Sequence, residues 1–224
     1  MDCTGEDRSA EPSVSRVEFL KRAGAAGVAA ATVPAVLATE PALAESEAIQ
    51  LEQLVAVSPS EARTLEAYLE RLIPTDATGP GAREARVLRY IDRSLAGDLL
   101  LFRPAYQAAL VALDAYAERK FGPAFADLSP AQQDAILTDM DRNQATGFVP
   151  NAKAVFEMIR THAVQGMFGD PAHGGNANFV GWKLVRFPGP RLVISAADQR
   201  LDVVPKSNMR STYSIPIFRA SRRN

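Results

Sequence analysis

From residue 58 to residue 165 the apolar positions recur at spacings of three and four, the mark of helices that bury one face. Ser58-Pro59-Ser60-Glu61 supplies an N-cap, a proline at the first helical position and a glutamate able to close a capping box. Ala62, Leu65, Leu69, Leu72 and Ile73 then share a face, and Pro74 stops the helix. After a Gly- and Pro-rich loop over 75–81, the spacing predicts a second helix over 82–95 with Leu88, Ile91 and Leu95 inward. A third is predicted over 104–120, with Tyr106, Leu110, Leu113 and Ala117 on one stripe and Gly122-Pro123 as its stop. Ser129-Pro130-Ala131-Gln132 repeats the cap logic ahead of Ile136, Leu137 and Met140. A loop over 143–150 leads to a fifth helix over 151–165, which aligns Val155, Met158, Ile159 and His162. Helices with short connections predict an all-α fold, a small antiparallel helical bundle. Glu66, Glu70, Glu84 and Asp92 fall on polar faces and read as solvated surface.

Both ends of the chain break this pattern. Arg8, Arg16, Lys21 and Arg22 form a basic region, residues 23–37 are apolar, and Ala42-Leu43-Ala44 offers a cleavage site before Glu45. The apolar run is shorter than the roughly 20 residues of a membrane-spanning helix. It is also rich in Ala and Gly, a mild hydrophobicity that suits the twin-arginine export route. Ser15 to Lys21 resembles that route's S-R-R-x-F-L-K motif, with Val17 in place of the second arginine. Residues 1–44 therefore read as a Tat-like export signal and the location as periplasmic; the rival is a helix kept as an anchor. Residues 45–57 read as a linker and 58–190 as the helical domain. Residues 191–224 read as an extended basic tail, because from Arg186 onward eight basic residues face only Asp198 and Asp202. Such a tail has little to bury alone. It is expected to lie on a partner, with Tyr213, Ile215 and Phe218 as anchors and its arginines on acidic patches; the rival is packing against its own bundle.

Composition narrows the function classes. Hydrophobic residues make up 47% of the 224, enough for a core. A net charge of −1 argues against nucleic-acid binding. Cys3 is the single cysteine, and His162 and His173 are the two histidines, so a transition-metal site is poorly supplied.

The unusual stretch is GMFGDPAHGGNANFVGWKLVRFPG, residues 166–189. The chain holds no G-x-S-x-G elbow, and Ser195 has no histidine near it in sequence. Asp170, His173 and Asn176 are spaced by three and could serve a metal or an active site, but Gly174 and Gly175 argue for a turn between them. His162, on an apolar stripe, reads as a hydrogen-bonded core histidine. Gly174-Gly175-Asn176 follows a helix and lacks the spacing of a dinucleotide cradle. An architectural reading remains: glycines and Asn176 let the backbone turn. Phe168, Phe179, Trp182 and Phe187 then either close the bundle's open end or anchor a partner.

The same stretch resembles the signature of the gluconate 2-dehydrogenase subunit 3 family, roughly G-x-F-x-D-P-x-aromatic-G-G-N, then G-W, then P-G. Gly166, Phe168, Asp170, Pro171, His173, Gly174, Gly175, Asn176, Gly181, Trp182, Pro188 and Gly189 fill it, with Arg186 at a place where glycine is commoner. Leu72-Ile73-Pro74 with Asp76, Pro80-Gly81-Ala82, Glu84-Ala85 and Tyr90-Ile91-Asp92 are a second point of similarity. The resemblance implies a non-catalytic small subunit that carries the export signal for a large flavoprotein of the glucose-methanol-choline (GMC) oxidoreductase type. It also implies a c-type cytochrome in many such complexes, with any membrane association coming through the complex. No cofactor is then expected in this chain; FAD and haem c belong to the partner subunits. Two rival functions are a free-standing periplasmic helical binding protein and an enzyme using Asp170, His173 and Asn176.

Overall fold

The computed structural model describes residues 54–200, 202–204 and 206–219. The expected export signal at 1–44, and all but the end of the expected linker, lie outside them. The described residues form an all-α fold. Its α-helices are α1 (Pro59–Leu72), α2 (Val87–Leu95), α3 (Arg103–Phe121), α4 (Pro130–Asp141), α5 (Ala152–Phe168), the short α6 (Val180–Leu184) and the single turn α7 (Pro216–Arg219).

Local sequence accounts for the starts of α1, α4 and α5. Ser58 and Glu61 form the capping box of α1: Ser58 N–H donates to Glu61 Oε2 at 2.7 Å and Glu61 N–H to Ser58 Oγ at 3.3 Å. Gln132 Oε1 accepts from Ser129 N–H at 3.0 Å at the start of α4, and Asn151 Oδ1 caps α5 through Ala154 N–H. Helix α1 packs against α2, α3 and α4, while α5 packs against both α2 and α4. Leu65, Tyr68, Leu69, Ile91, Leu113, Ile136, Met140 and Ile159 meet in the buried centre. Each such side chain contributes about 1.5–3 kcal/mol of burial free energy.

The second helix starts later than the spacing predicts. Residues 82–86 are turns, and Arg86 sits at φ 55°, ψ 43°, in the left-handed region. Ala82 and Ala85 are nonetheless buried, so the apolar rhythm continues across the break. Tertiary hydrogen bonds hold the turn: Ala82 N–H donates to Ile73 C=O at 2.8 Å, and Ala85 C=O accepts from Ala177 N–H at 3.2 Å.

Asp92, expected at the surface, is fully buried. Its carboxylate accepts the successive backbone N–H groups of Val55, Ala56 and Val57 at 2.8–3.1 Å and so fastens the chain that enters α1. Leu88, Asp92 and Leu95 share one stripe of α2, so the helical spacing did place this carboxylate inward. Asp114 plays a similar part, accepting from Thr64 Oγ1 and from Phe125 N–H, both at 3.1 Å. His162 is a core histidine that shares a 3.0 Å hydrogen bond with the Tyr106 hydroxyl, and the Phe102 ring meets it edge-on. Burial holds its imidazole below the ordinary value of 6.5.

Two outcomes follow from these polar groups. Asp92→Ala leaves three N–H groups without an acceptor, so the urea unfolding free energy should fall by about 3 kcal/mol. In the same variant, hydrogen exchange should quicken first at the amides of residues 55–57. His162 favours its neutral form in the fold, so its contribution is present above about pH 6.5 and is lost as pH falls below that, where only the unfolded chain takes up the proton. Between about pH 7.5 and 5.5 the wild-type urea midpoint should drop more than that of His162→Leu.

Candidate functional site

Helix α5 runs three residues beyond its predicted end and takes in Gly166, Met167 and Phe168. Its last carbonyls have no partner within the helix, and the end is surrounded by protein, so other groups must meet them. The closing segment supplies those groups. Asn176 N–H donates to Gly166 C=O at 2.8 Å, Asn176 Nδ2 to Gly169 C=O at 2.8 Å, and the Trp182 indole N–H to Phe168 C=O at 2.8 Å. Asn176 Oδ1 in turn accepts Gly181 N–H at 2.9 Å, so both ends of this buried amide are used.

The backbone reaches the helix end only because two positions lack side chains. A Cβ on Gly175 would lie 2.2 Å from Gly166 O, and one on Gly181 would lie 1.9 Å from Met167 O. Between them Asn176, Asn178 and Phe179 all take left-handed conformations, with φ of 44°, 54° and 60°. That conformation costs a bulky side chain about 1–2 kcal/mol, and no sequence signal marked Phe179 for it. Trp182 is buried between neighbouring rings, tilted against Phe179 at 5.4 Å and edge-on to Phe187 at 4.9 Å. Phe187 is partly exposed.

Asp170 opens the turn Pro171–His173, accepting Ala172 N–H at 2.9 Å with Oδ1, while Gly174 ends it. Its Oδ2 accepts Thr212 N–H at 2.6 Å. Desolvation pushes this carboxyl upward, but hydrogen bonds from the Ser211 side chain and from Ala172 and Thr212 outweigh it, and Asp170 stays below its ordinary value of 3.8. The His173 ring meets Tyr213 edge-on at 5.5 Å. Asp170, His173 and Asn176 therefore serve three different neighbours and do not converge on one point. Among the described residues no group of three or more His, Cys, Asp or Glu side chains is placed to share a metal ion.

The residues after Pro190 depart from the extended form expected of them. They contain the turns Ala196–Gln199 and Thr212–Ser214 as well as α7, and they return to the closing segment. Asn208 N–H donates to Pro188 C=O at 2.6 Å and Asn208 Nδ2 to Pro190 C=O at 2.9 Å; Gly189 lies against Asn208. Ile215, expected as a partner anchor, is buried within its own chain; Tyr213 lies on His173, and Phe218 stays partly exposed. A groove of about 450 Å³ runs between Phe168, Trp182, Val185, Phe187 and Pro190, with Asp170 and Thr212 at one side.

The central role of Asn176 is testable. Asn176→Ala should cost about 3 kcal/mol, because Gly169 C=O and Gly181 N–H lose their partners in a buried place. Trp182 is the only tryptophan, so its emission should shift red in the folded variant. Asn176→Asp sets a buried carboxylate against Gly169 C=O at the negative end of the helix dipole, so at neutral pH it should destabilise at least as much as Asn176→Ala.

Two comparisons are negative: no curated protein and no solved structure matches the chain. The family model for gluconate 2-dehydrogenase subunit 3 matches residues 59–189, from the first residue of α1 to Gly189, and so spans both the helices and the closing segment. The chain belongs to the gluconate 2-dehydrogenase subunit 3 family.

Proposed function

We propose that this chain is the non-catalytic small subunit of a periplasmic, flavin-dependent sugar or alcohol dehydrogenase complex. In this reading it assists export, assembly and stability of a large GMC-type flavoprotein, and in complexes that have one it also neighbours a c-type cytochrome. FAD and haem c sit on those partners and not on this chain.

The observation that carries the reading is family membership over residues 59–189. The use made of the family's signature supports it. Asp170, Asn176 and Trp182 bond backbone groups of their own chain, and His173 faces Tyr213, so the polar residues of the stretch have architectural work. That supports a shaped surface over an enzyme built on Asp170, His173 and Asn176. The basic region, apolar run and Ala42-Leu43-Ala44 at the N-terminus support delivery to the periplasm.

Co-expression with the large flavoprotein tests this. Tagged at Asn224, the chain should bring the flavoprotein out of the periplasmic fraction, its own N-terminus should be Glu45, and omitting the chain should leave the flavoprotein in the cytoplasm. Equal export of the flavoprotein without this chain, or dehydrogenase turnover by this chain alone, would overturn the proposal.

A further inference from the structure

The chain leaves the closing segment at Pro190 and comes back to it at Asn208, so the residues between form a loop pinned at its neck. Asn208 holds the carbonyls of Pro188 and Pro190, and the Arg191 guanidinium donates to Lys206 C=O at 2.9 Å. The charged residues of 191–204 are Arg191, Asp198, Arg200 and Asp202, two of each sign. They pair with one another. Arg191 meets Asp198 at 3.0 Å, and Arg200 grips both carboxylate oxygens of Asp202 at 3.0 and 2.8 Å. The exposed Arg200–Asp202 pair adds little stability. The effect of the two pairs is on what residues 191–204 show: the two arginines there are matched in place and not left over for acidic patches, and Lys206 at the neck is the loop's one further cation.

What the loop does show is apolar. Leu192 and Ile194 are exposed, Val193 is 82% exposed and Val204 is 90% exposed. Consecutive large apolar side chains in water mark a surface that something else covers. The apolar character continues past the neck, since Pro190 lines the groove that holds Trp182, Val185 and Phe187.

We infer that Leu192, Val193, Ile194 and Val204, with the groove beside Pro190, form the docking surface for the large dehydrogenase subunit, and that the matching surface on that subunit is apolar. The inference rests on the assembly role proposed above and names the surface and the chemistry that perform it. The pinned neck lowers the ordering cost of docking, because the loop is already closed before it meets its partner. A protein surface fits better than a lipid surface on two grounds. Segments that lie on membranes keep lysines and arginines free for anionic headgroups, whereas the arginines here are paired. The groove is a recess that takes a projecting side chain, as interface anchors require.

The test compares the full chain with Val193→Asp and Ile194→Ser, each mixed with the purified flavoprotein. Both positions are exposed, and the far-ultraviolet circular dichroism and melting temperature of each variant check that the helices are unchanged. Wild type should bind about equally well in low salt and in about 0.5 M salt, and each substitution should weaken binding by about tenfold or more. Equal binding by the variants, or loss of wild-type binding in high salt, overturns this inference and leaves the assembly role standing. Absence of any wild-type binding overturns the assembly role, and this inference with it. Wild-type chain that sediments with phosphatidylcholine vesicles, where Val193→Asp does not, assigns the loop to lipid and also overturns the inference.

Discussion

The carbonyl end of α5 is the constraint around which the second half of the molecule is arranged. A helix ends with C=O groups that have no intrahelical partner and with the negative end of its dipole. Water, capping turns or side chains meet these groups at helix ends in general. Here the chain itself covers them, so donors must be brought to Gly166, Phe168 and Gly169, and they are the main-chain and side-chain N–H groups of Asn176 and the indole N–H of Trp182. Once its N–H is satisfied, Trp182 can be buried at little polar cost and can order Phe179 and Phe187 around it. The glycines at 175 and 181 follow from the same demand, since only bare backbone comes close enough to the helix end.

The entry to α1 poses the complementary problem, and a buried carboxylate solves it. Three consecutive N–H groups ahead of α1 converge on the buried carboxylate of Asp92, about one turn from the C-terminus of α2. Asp114 joins α3 to the Phe125 turn, and Gln133 on α4 returns a hydrogen bond to Phe125 C=O at 3.0 Å. Asp92, Asp114 and Gln133 thus attach irregular segments to helices. A fully satisfied network of this kind rigidifies its surroundings, and a partly satisfied one is costly.

A rigid closing segment suits the assembly role proposed above. Its outer face carries the Trp182 groove, and the chain beyond Pro190 is tied to it through Asn208 and Asp170. Side chains held in place before a partner arrives lose less freedom on docking. Asn176 and Trp182 build that face through hydrogen bonds to their own chain.

The helices were legible in the sequence because their causes are local. Capping residues at Ser58, Ser129 and Asn151 act within one turn, and an apolar stripe reports which face of a helix turns inward. The all-α class and the importance of residues 166–189 followed from such signals and from the family resemblance. Other features answer to contacts far apart in sequence. Residues 82–86 keep helical spacing and yet form turns, because Ile73 and Ala177 claim their backbone groups. Asp92 read as a surface acid because charge suggests exposure, while its true neighbours lie more than thirty residues away. The sequence shows the tail's surplus of basic residues, but a list of residues does not show that Arg191 and Arg200 pair with aspartates of the same loop, or that Ile215 is buried. Periodicity records which side of an element meets an apolar environment. Which backbone groups need a partner, and which charges have already found one, is decided only when distant segments meet.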